Sequence, residues 1–139
     1  MDNFARPLTM QFPPAIDFGK GTVSRIGEWA DVRGYGRVLV VSDTFNRDRV
    51  ESFGLRGETV VFDQVRPEPD VANLDALLAT ARAFVPELVV GFGGGSAMDI
   101  AKLASVMIGS EAPVTEIEGK DKAPERRAAL IQVPTTSGT

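Results

Sequence analysis

The stretch Leu88-Val-Val-Gly-Phe-Gly-Gly-Gly-Ser-Ala-Met-Asp99 decides the fold class of this chain. Its first four residues form a short apolar run, which is typical of a strand buried on both faces. Three consecutive glycines follow, and then Ala97–Ile108 has an apolar pattern that predicts a mostly buried helix. The only polar stripe of that predicted helix consists of Asp99, Lys102 and Ser105. Strand, glycine-rich turn and helix in this order indicate an α/β unit.

Apolar runs and helical patterns alternate along the rest of the chain. This alternation predicts a parallel sheet with right-handed crossovers. Asp70 is expected to cap the clearest amphipathic helix, and Asn46 is expected to point outward from a brief earlier helix. The predicted strands are Arg37–Asp43, Thr59–Phe62, Leu88–Gly91 and Ala129–Val133; the predicted helices are Val23–Ala30, Thr44–Phe53, the segment that follows Asp70, and Ala97–Ile108; Gly109–Arg127 is predicted to be a surface loop.

The composition excludes several classes of function. The chain has 139 residues, which suits one domain, and its net charge of −4 argues against binding to nucleic acid. It contains neither histidine nor cysteine, so Ser-His-Asp and Cys-His catalysis cannot occur within it. No apolar run approaches the ~18–20 residues of a membrane span. We therefore expect a cytoplasmic protein that does not associate with membranes or nucleic acid.

The glycine-rich turn is the strongest candidate site. Gly93, Gly94 and Gly95 let a ligand approach the backbone, and the start of the next helix offers N–H groups that attract phosphate. Ser96 is predicted to be the N-cap, with Asp99 at the spacing of a capping box. The alternative is a tight turn whose glycines serve packing alone.

Two further segments are predicted to reach the same edge of the sheet. Asp43 closes the first predicted strand, where its carboxylate can accept hydrogen bonds from ribose and repel a 2′-phosphate, which favours NAD over NADP. The alternative role for Asp43 is to cap the next helix. Thr135, Thr136 and Thr139 follow the last strand and either line the cleft or form a polar turn.

Taken together, these blocks resemble the N-terminal half of iron-containing (group III) alcohol dehydrogenases. The matching residues are Ile16-Asp-Phe-Gly19 with Gly21, Val38-Leu-Val-Val-Ser-Asp43, Val61-Phe-Asp-Gln-Val65 with Pro67 and Pro69, Gly93-Gly-Gly-Ser-Ala-Met-Asp-Ile-Ala-Lys102, and Val133-Pro-Thr-Thr-Ser-Gly-Thr139. The chain departs from the resemblance at Glu68, where the family usually has asparagine.

The resemblance implies that residues 1–139 form a Rossmann-like, NAD(P)-binding domain with helices on both faces of a parallel sheet, as in the N-terminal domain of dehydroquinate synthases. It implies that the pyrophosphate lies over Gly93, Gly94, Gly95 and Ser96, that Asp43 lies at the adenosine ribose, and that Asp99 lies nearer the nicotinamide and the substrate. Thr135, Thr136 and Thr139 would also contact the dinucleotide.

The resemblance also implies a function for the intact enzyme. It would transfer hydride between an alcohol or aldehyde and NAD, with NADP less favoured, and a helical domain absent from this chain would hold Fe or Zn. It would be a homodimer or a higher homo-oligomer. We expect this chain, as a truncated form without metal ligands, to be inactive alone. The alternatives are a non-catalytic dinucleotide-binding module, or a sister enzyme such as a glycerol or 4-hydroxybutyrate dehydrogenase.

Overall fold

The computed structural model describes residues 13–113 and 126–135. Four strands, three α-helices and two short 3-10 helices form within these ranges. The strands are β1 (Arg37–Ser42), β2 (Glu58–Phe62), β3 (Leu88–Gly93) and β4 (Ala129–Pro134); the α-helices are α1 (Ile26–Val32), α2 (Val71–Phe84) and α3 (Gly95–Met107); the 3-10 helices are Thr22–Arg25 and Arg47–Phe53, of which the second is called the crossover helix. Each predicted strand is therefore a strand, with small shifts at its ends.

The four strands form one sheet in the order β2-β1-β3-β4. β1 lies inside the sheet and pairs with β2 on one side, where Val38 is opposite Thr59, and with β3 on the other, where Val38 is opposite Leu88. β3 pairs in turn with β4. All three pairings are parallel, which confirms the α/β fold class.

Helices cover both faces of this sheet, as predicted. Side chains alternate along β1, so Leu39 packs on the face with α2 and α3 while Val38 packs on the face with α1 and the crossover helix. On the second face, Phe53 of the crossover helix lies edge-on to Phe92 of β3, with ring centroids 4.9 Å apart. The apolar run of β1 is buried on both faces for this reason.

Helix α3 lies close against the sheet because small residues meet at their interface. A Cβ atom on Gly91 of β3 would lie 2.9 Å from the Cβ of Ala101 in α3, too close for two carbon atoms. The side-chain amide of Gln132 in β4 also donates a 2.7 Å hydrogen bond to the carbonyl of Met98 in α3. The first turns of α3 are thus held by both β3 and β4.

The structure corrects two expectations about polar side chains. Asn46 is buried, only 4% exposed, and the helix predicted over Thr44–Phe53 is a 3-10 helix that begins after it. Ser105 is fully buried as well, and does not continue the exposed stripe on α3. Its hydroxyl donates to the carbonyl of Lys102 at 2.7 Å, which satisfies the group without water. Of the predicted loop Gly109–Arg127, residues 114–125 lie outside the described residues.

None of the helices in the described ranges is long and apolar enough to cross a membrane.

Helix α2 begins as predicted and ends in a strained conformation. The Asp70 carboxylate accepts a 2.8 Å hydrogen bond from the backbone N–H of Asn73 and caps the helix. At the other end Val85 has a φ of +54°, and Glu68, before the helix, has a φ of +50°. This left-handed region is costly for most residues and least so for glycine and asparagine. Asparagine, usual in the resembled family at the position of Glu68, tolerates it better than glutamate.

We expect Val85→Asn to raise the free energy of unfolding by about 1 kcal/mol, because asparagine relieves the left-handed strain. Val85 is 59% exposed, so little burial is lost. Urea denaturation measures the change. Val71→Asn is the matched control, since Val71 is 56% exposed at the other end of α2 and has no left-handed backbone. An equal or larger gain from the control would show that strain at Val85 is not the cause.

Candidate functional site

The carboxyl ends of β1 and β3 lie side by side at the switch point of the sheet. From β1 the chain moves outward to β2, and then returns to place β3 on the other side of β1. Parallel sheets bind ligands in the crevice outside such a point. Ser42, the last residue of β1, is opposite Phe92 and donates a 2.6 Å hydrogen bond to its carbonyl. Asp43 therefore emerges beside Gly93.

The surroundings of Gly93 and Gly95, in the turn after β3, differ in whether they leave room for a side chain. Gly93 has a φ of +151°, and a Cβ there would lie 3.0 Å from the Cβ of Ala97 and 3.3 Å from Oδ2 of Asp43. A Cβ on Gly95, in contrast, would meet nothing within 4 Å. Packing thus accounts for Gly93 but not for Gly95. Gly95 is exposed, so the space beside its backbone is open to solvent and a ligand can approach it there.

The N-terminus of α3 faces this space. Gly94 is the N-cap in an extended conformation, with φ −80° and ψ −170°, and it has no side chain to cap the helix. Ser96 is therefore inside the first turn and is not the N-cap, so the predicted capping box with Asp99 is wrong. The reason is that β3 runs on to Gly93 and the helix begins directly after Gly94. Backbone N–H groups of the first turn remain available to an anion.

Asp43 is held by Asn46. Its Oδ1 accepts hydrogen bonds from the backbone N–H of Asn46 at 2.9 Å and from the Asn46 amide at 3.1 Å, and its Oδ2 accepts from the same amide at 3.1 Å. The carboxylate thus closes the turn that leads into the crossover helix. The N-cap residue of that helix is Asn46 and not Asp43, the residue that the alternative role named. Capping uses part of its hydrogen-bonding capacity and leaves it at the edge of the site.

Of the remaining predicted site residues, Thr135 lies at the glycine turn and Asp99 lies away from it. The backbone N–H of Thr135 donates a 2.9 Å hydrogen bond to the carbonyl of Gly93, which places the start of the threonine block at the glycine turn. Thr136 and Thr139 lie outside the described residues. Asp99 is exposed on α3, farther along the helix than the turn itself.

Two polar residues that support the site, Arg49 and Gln132, were not singled out from the sequence, and Asn46 was expected to point outward. Arg49 donates a 3.1 Å hydrogen bond to Oδ1 of Asn46, and Gln132 holds α3 as described above. The spacing of Asp43 and Asn46, three residues apart in a turn, is typical of side chains that bond the local backbone. The polar Gln132 inside an apolar strand was a second available signal.

The described residues do not fit a metal ion. Within residues 13–113 and 126–135, no group of three His, Cys, Asp or Glu side chains is placed to hold one. The histidines that the resemblance implies among the metal ligands correspond to no residues here, since the chain has no histidine.

Comparison with known proteins identifies the family. The family described as iron-containing alcohol dehydrogenase matches residues 13–139. The chain belongs to this family. This confirms the resemblance drawn from the glycine and threonine blocks.

Individual iron-containing alcohol dehydrogenases show the same relationship. Long-chain-alcohol dehydrogenase 1 of Geobacillus thermodenitrificans is 34% identical in an alignment 138 positions long, which covers 92% of this chain and 35% of that protein. The structure of sulfoacetaldehyde reductase from Bifidobacterium kashiwanohense in complex with NAD+ is 31% identical, with a TM-score of 0.79 over 94% of this chain and 38% of that one. A 1,3-propanediol oxidoreductase is 26% identical, with a TM-score of 0.88 over 96% of this chain and 37% of that one. The chain thus spans little more than a third of its relatives' length.

Proposed function

We propose that this chain is the cofactor-binding part of an NAD-dependent alcohol dehydrogenase. The observation that carries the proposal is the accessible backbone of the glycine turn at the N-terminus of α3. A Cβ on Gly95 would meet nothing within 4 Å, and Oδ2 of Asp43 lies 3.3 Å from the position of a Cβ on Gly93 in the same turn. The NAD complex of the Bifidobacterium relative supports the choice of ligand. In the intact enzyme, bound NAD accepts hydride from an alcohol, and the residues of this chain hold and orient it.

The pyrophosphate is proposed to lie over the glycine turn. Gly94 and Gly95 leave its oxygens room to approach the backbone, and the N–H groups at the start of α3, including that of Ser96, donate to them. The helix dipole adds a favourable interaction with the negative charge. The hydroxyls of Thr135, Thr136 and Thr139 are proposed to line the same cleft, with Asp99 nearer the nicotinamide.

The adenosine ribose is proposed to lie at Asp43. Ionised carboxylates accept hydrogen bonds from ribose hydroxyls, whereas a 2′-phosphate at this position would be repelled. The same charge therefore selects NAD and disfavours NADP.

The remaining parts of the proposal concern the intact enzyme. Its substrates are small alcohols or aldehydes, and it works in the cytoplasm as a homodimer or a larger homo-oligomer. Because no side-chain group within residues 13–113 and 126–135 is placed to hold a metal ion, the Fe or Zn of the intact enzyme is proposed to bind elsewhere in it.

We expect Gly95→Ala to weaken NAD binding roughly tenfold or more without loss of stability, because the added methyl group fills space that only the ligand needs. Isothermal titration calorimetry measures the binding and thermal denaturation the stability. Gly36→Ala, at the opposite end of β1, is the control, since its Cβ would make only an ordinary 3.9 Å contact with Glu87. Unchanged NAD affinity in Gly95→Ala would contradict the placement of the pyrophosphate.

We expect the chain to bind NAD more tightly than NADP, and both Asp43→Gly and Asp43→Asn to reduce that preference by about tenfold, since each removes the charge that repels the 2′-phosphate. Asp43→Asn keeps the size of the side chain and so separates charge from the capping of the turn. Titration with both dinucleotides measures the ratio. A ratio that both variants leave unchanged would assign Asp43 to capping alone.

We expect the 139-residue chain to produce no NADH from primary alcohols, with or without added Fe²⁺ or Zn²⁺, while it still binds NAD. Absorbance at the NADH band measures turnover. The full-length Geobacillus relative in the same assay is the positive control. Steady NADH production by the chain would refute the expectation that it lacks the groups needed for turnover.

A further inference from the structure

Three polar side chains form a line that ends at the candidate site. Arg49 donates from Nη1 to Oδ1 of Asn46 at 3.1 Å, and the Asn46 amide donates from Nδ2 to both oxygens of Asp43, each at 3.1 Å. The guanidinium of Arg49 also lies 5.4 Å from the ring centroid of Phe92, the residue before Gly93. The line therefore spans from the crossover helix to the ends of β1 and β3.

Arg49 and Asp43 together fix which way the Asn46 amide points. A guanidinium has only donors, so the amide must turn its oxygen toward Arg49 and its NH₂ group toward Asp43. With the amide reversed, two donors would face each other at Arg49 and two acceptors at Asp43. Asn46 is only 4% exposed, so water cannot compensate for a reversed amide.

The amide in turn decides which oxygen of Asp43 is free. Oδ1 accepts two hydrogen bonds from Asn46, from its backbone N–H at 2.9 Å and from its side chain, whereas Oδ2 accepts one. A carboxylate has about four acceptor positions, two on each oxygen. Oδ2 therefore keeps one, and it is the oxygen that lies 3.3 Å from the position of a Cβ on Gly93, toward the glycine turn.

We propose that Asn46 and Arg49 are positioning residues for coenzyme choice: they hold the Asp43 carboxylate so that Oδ2 meets the ribose of NAD and repels the 2′-phosphate of NADP. This inference rests on the proposed function and adds to it. All three side chains, Arg49, Asn46 and Asp43, thus determine the selectivity between NAD and NADP, and Asp43 is the one that contacts the coenzyme.

The direction in which one substitution changes the NAD preference distinguishes a positioning role of Arg49 from an effect of its charge alone. Arg49→Met removes a positive charge near the ribose site. If charge alone mattered, this would weaken the binding of NADP more than that of NAD, and the preference for NAD would rise. If Arg49 holds Asp43 through Asn46, the carboxylate is released and the NAD preference falls, roughly threefold or more. Arg47→Met is the matched control, because Arg47 lies on the same crossover helix but pairs with Asp63 at 2.7 Å.

The experiment titrates NAD and NADP into the wild-type chain and the Arg49→Met, Arg49→Lys and Arg47→Met variants, with thermal denaturation to confirm folding. The expected result is a lower NAD:NADP affinity ratio in Arg49→Met, recovery in Arg49→Lys, which keeps a donor, and no decrease in Arg47→Met. An unchanged or higher ratio in Arg49→Met, or an equal decrease in Arg47→Met, overturns the inference.

Two further variants identify the intermediate residue and separate the two proposals. Asn46→Ala is expected to lower the ratio at least as much as Arg49→Met; if it does not fold, Arg49→Met decides alone. In an Asp43→Asn background, Arg49→Met is expected to cause no further decrease, because the group it positions has lost its charge. A wild-type chain that binds neither dinucleotide refutes the proposed function itself. A chain that loses its NAD preference in Asp43→Asn but keeps it in Arg49→Met refutes only the positioning role.

Discussion

β1 and β3 lie side by side inside the sheet, paired from Val38 opposite Leu88 to Ser42 opposite Phe92. The hydroxyl of Ser42 closes this pairing with its hydrogen bond to the Phe92 carbonyl, at 2.6 Å in the buried interior. β1 and β3 then end at the same level of the sheet, where β1 continues into Asp43 and β3 into the glycine turn. A slip of one residue would turn each buried side chain to the opposite face, so the apolar cores on both sides maintain the register. The position of the carboxylate beside the turn is thus a product of core packing.

The two faces of the sheet contribute differently to the site. Helices α2 and α3 pack on one face, and α3 presents its N-terminus to the turn. The crossover helix packs on the other face, where Phe53 lies against Phe92 and supports the segment that carries Asn46 and Arg49. Phosphate recognition is therefore proposed on one side of β3 and ribose recognition on the other. The strand between them connects the two.

The strands, their parallel direction and the glycine turn could be predicted from the sequence, since apolar runs bounded by glycine and polar residues have few other structures available. The burial of Asn46 could not be predicted in this way. Its partner is the Asp43 carboxylate three residues earlier, and local hydrogen bonds of this kind override the outward direction that polarity favours. Ser105 is buried for a similar reason, with its hydroxyl bonded to the carbonyl of Lys102.

The first residue of α3 could not be predicted from the sequence either. Serine followed three residues later by an acid is a common helix start, but the three preceding glycines allow extended backbone up to Gly94, and the helix then begins without a side-chain cap. Of the candidate site, Asp43, Gly93, Gly94, Gly95 and Thr135 are placed at the carboxyl edge, as the strand ends predict.

The close contact of α3 with Gly91 has a consequence for the thermodynamics of binding. A helix held against the sheet by small residues, and by Gln132 from the next strand, keeps its first N–H groups oriented before any ligand arrives. Ordering a mobile loop or side chain on binding costs free energy, and a preformed anion site avoids most of that cost. For the phosphate binding proposed at this turn, the entropy lost is then largely that of the ligand, because the protein surface already has its final shape.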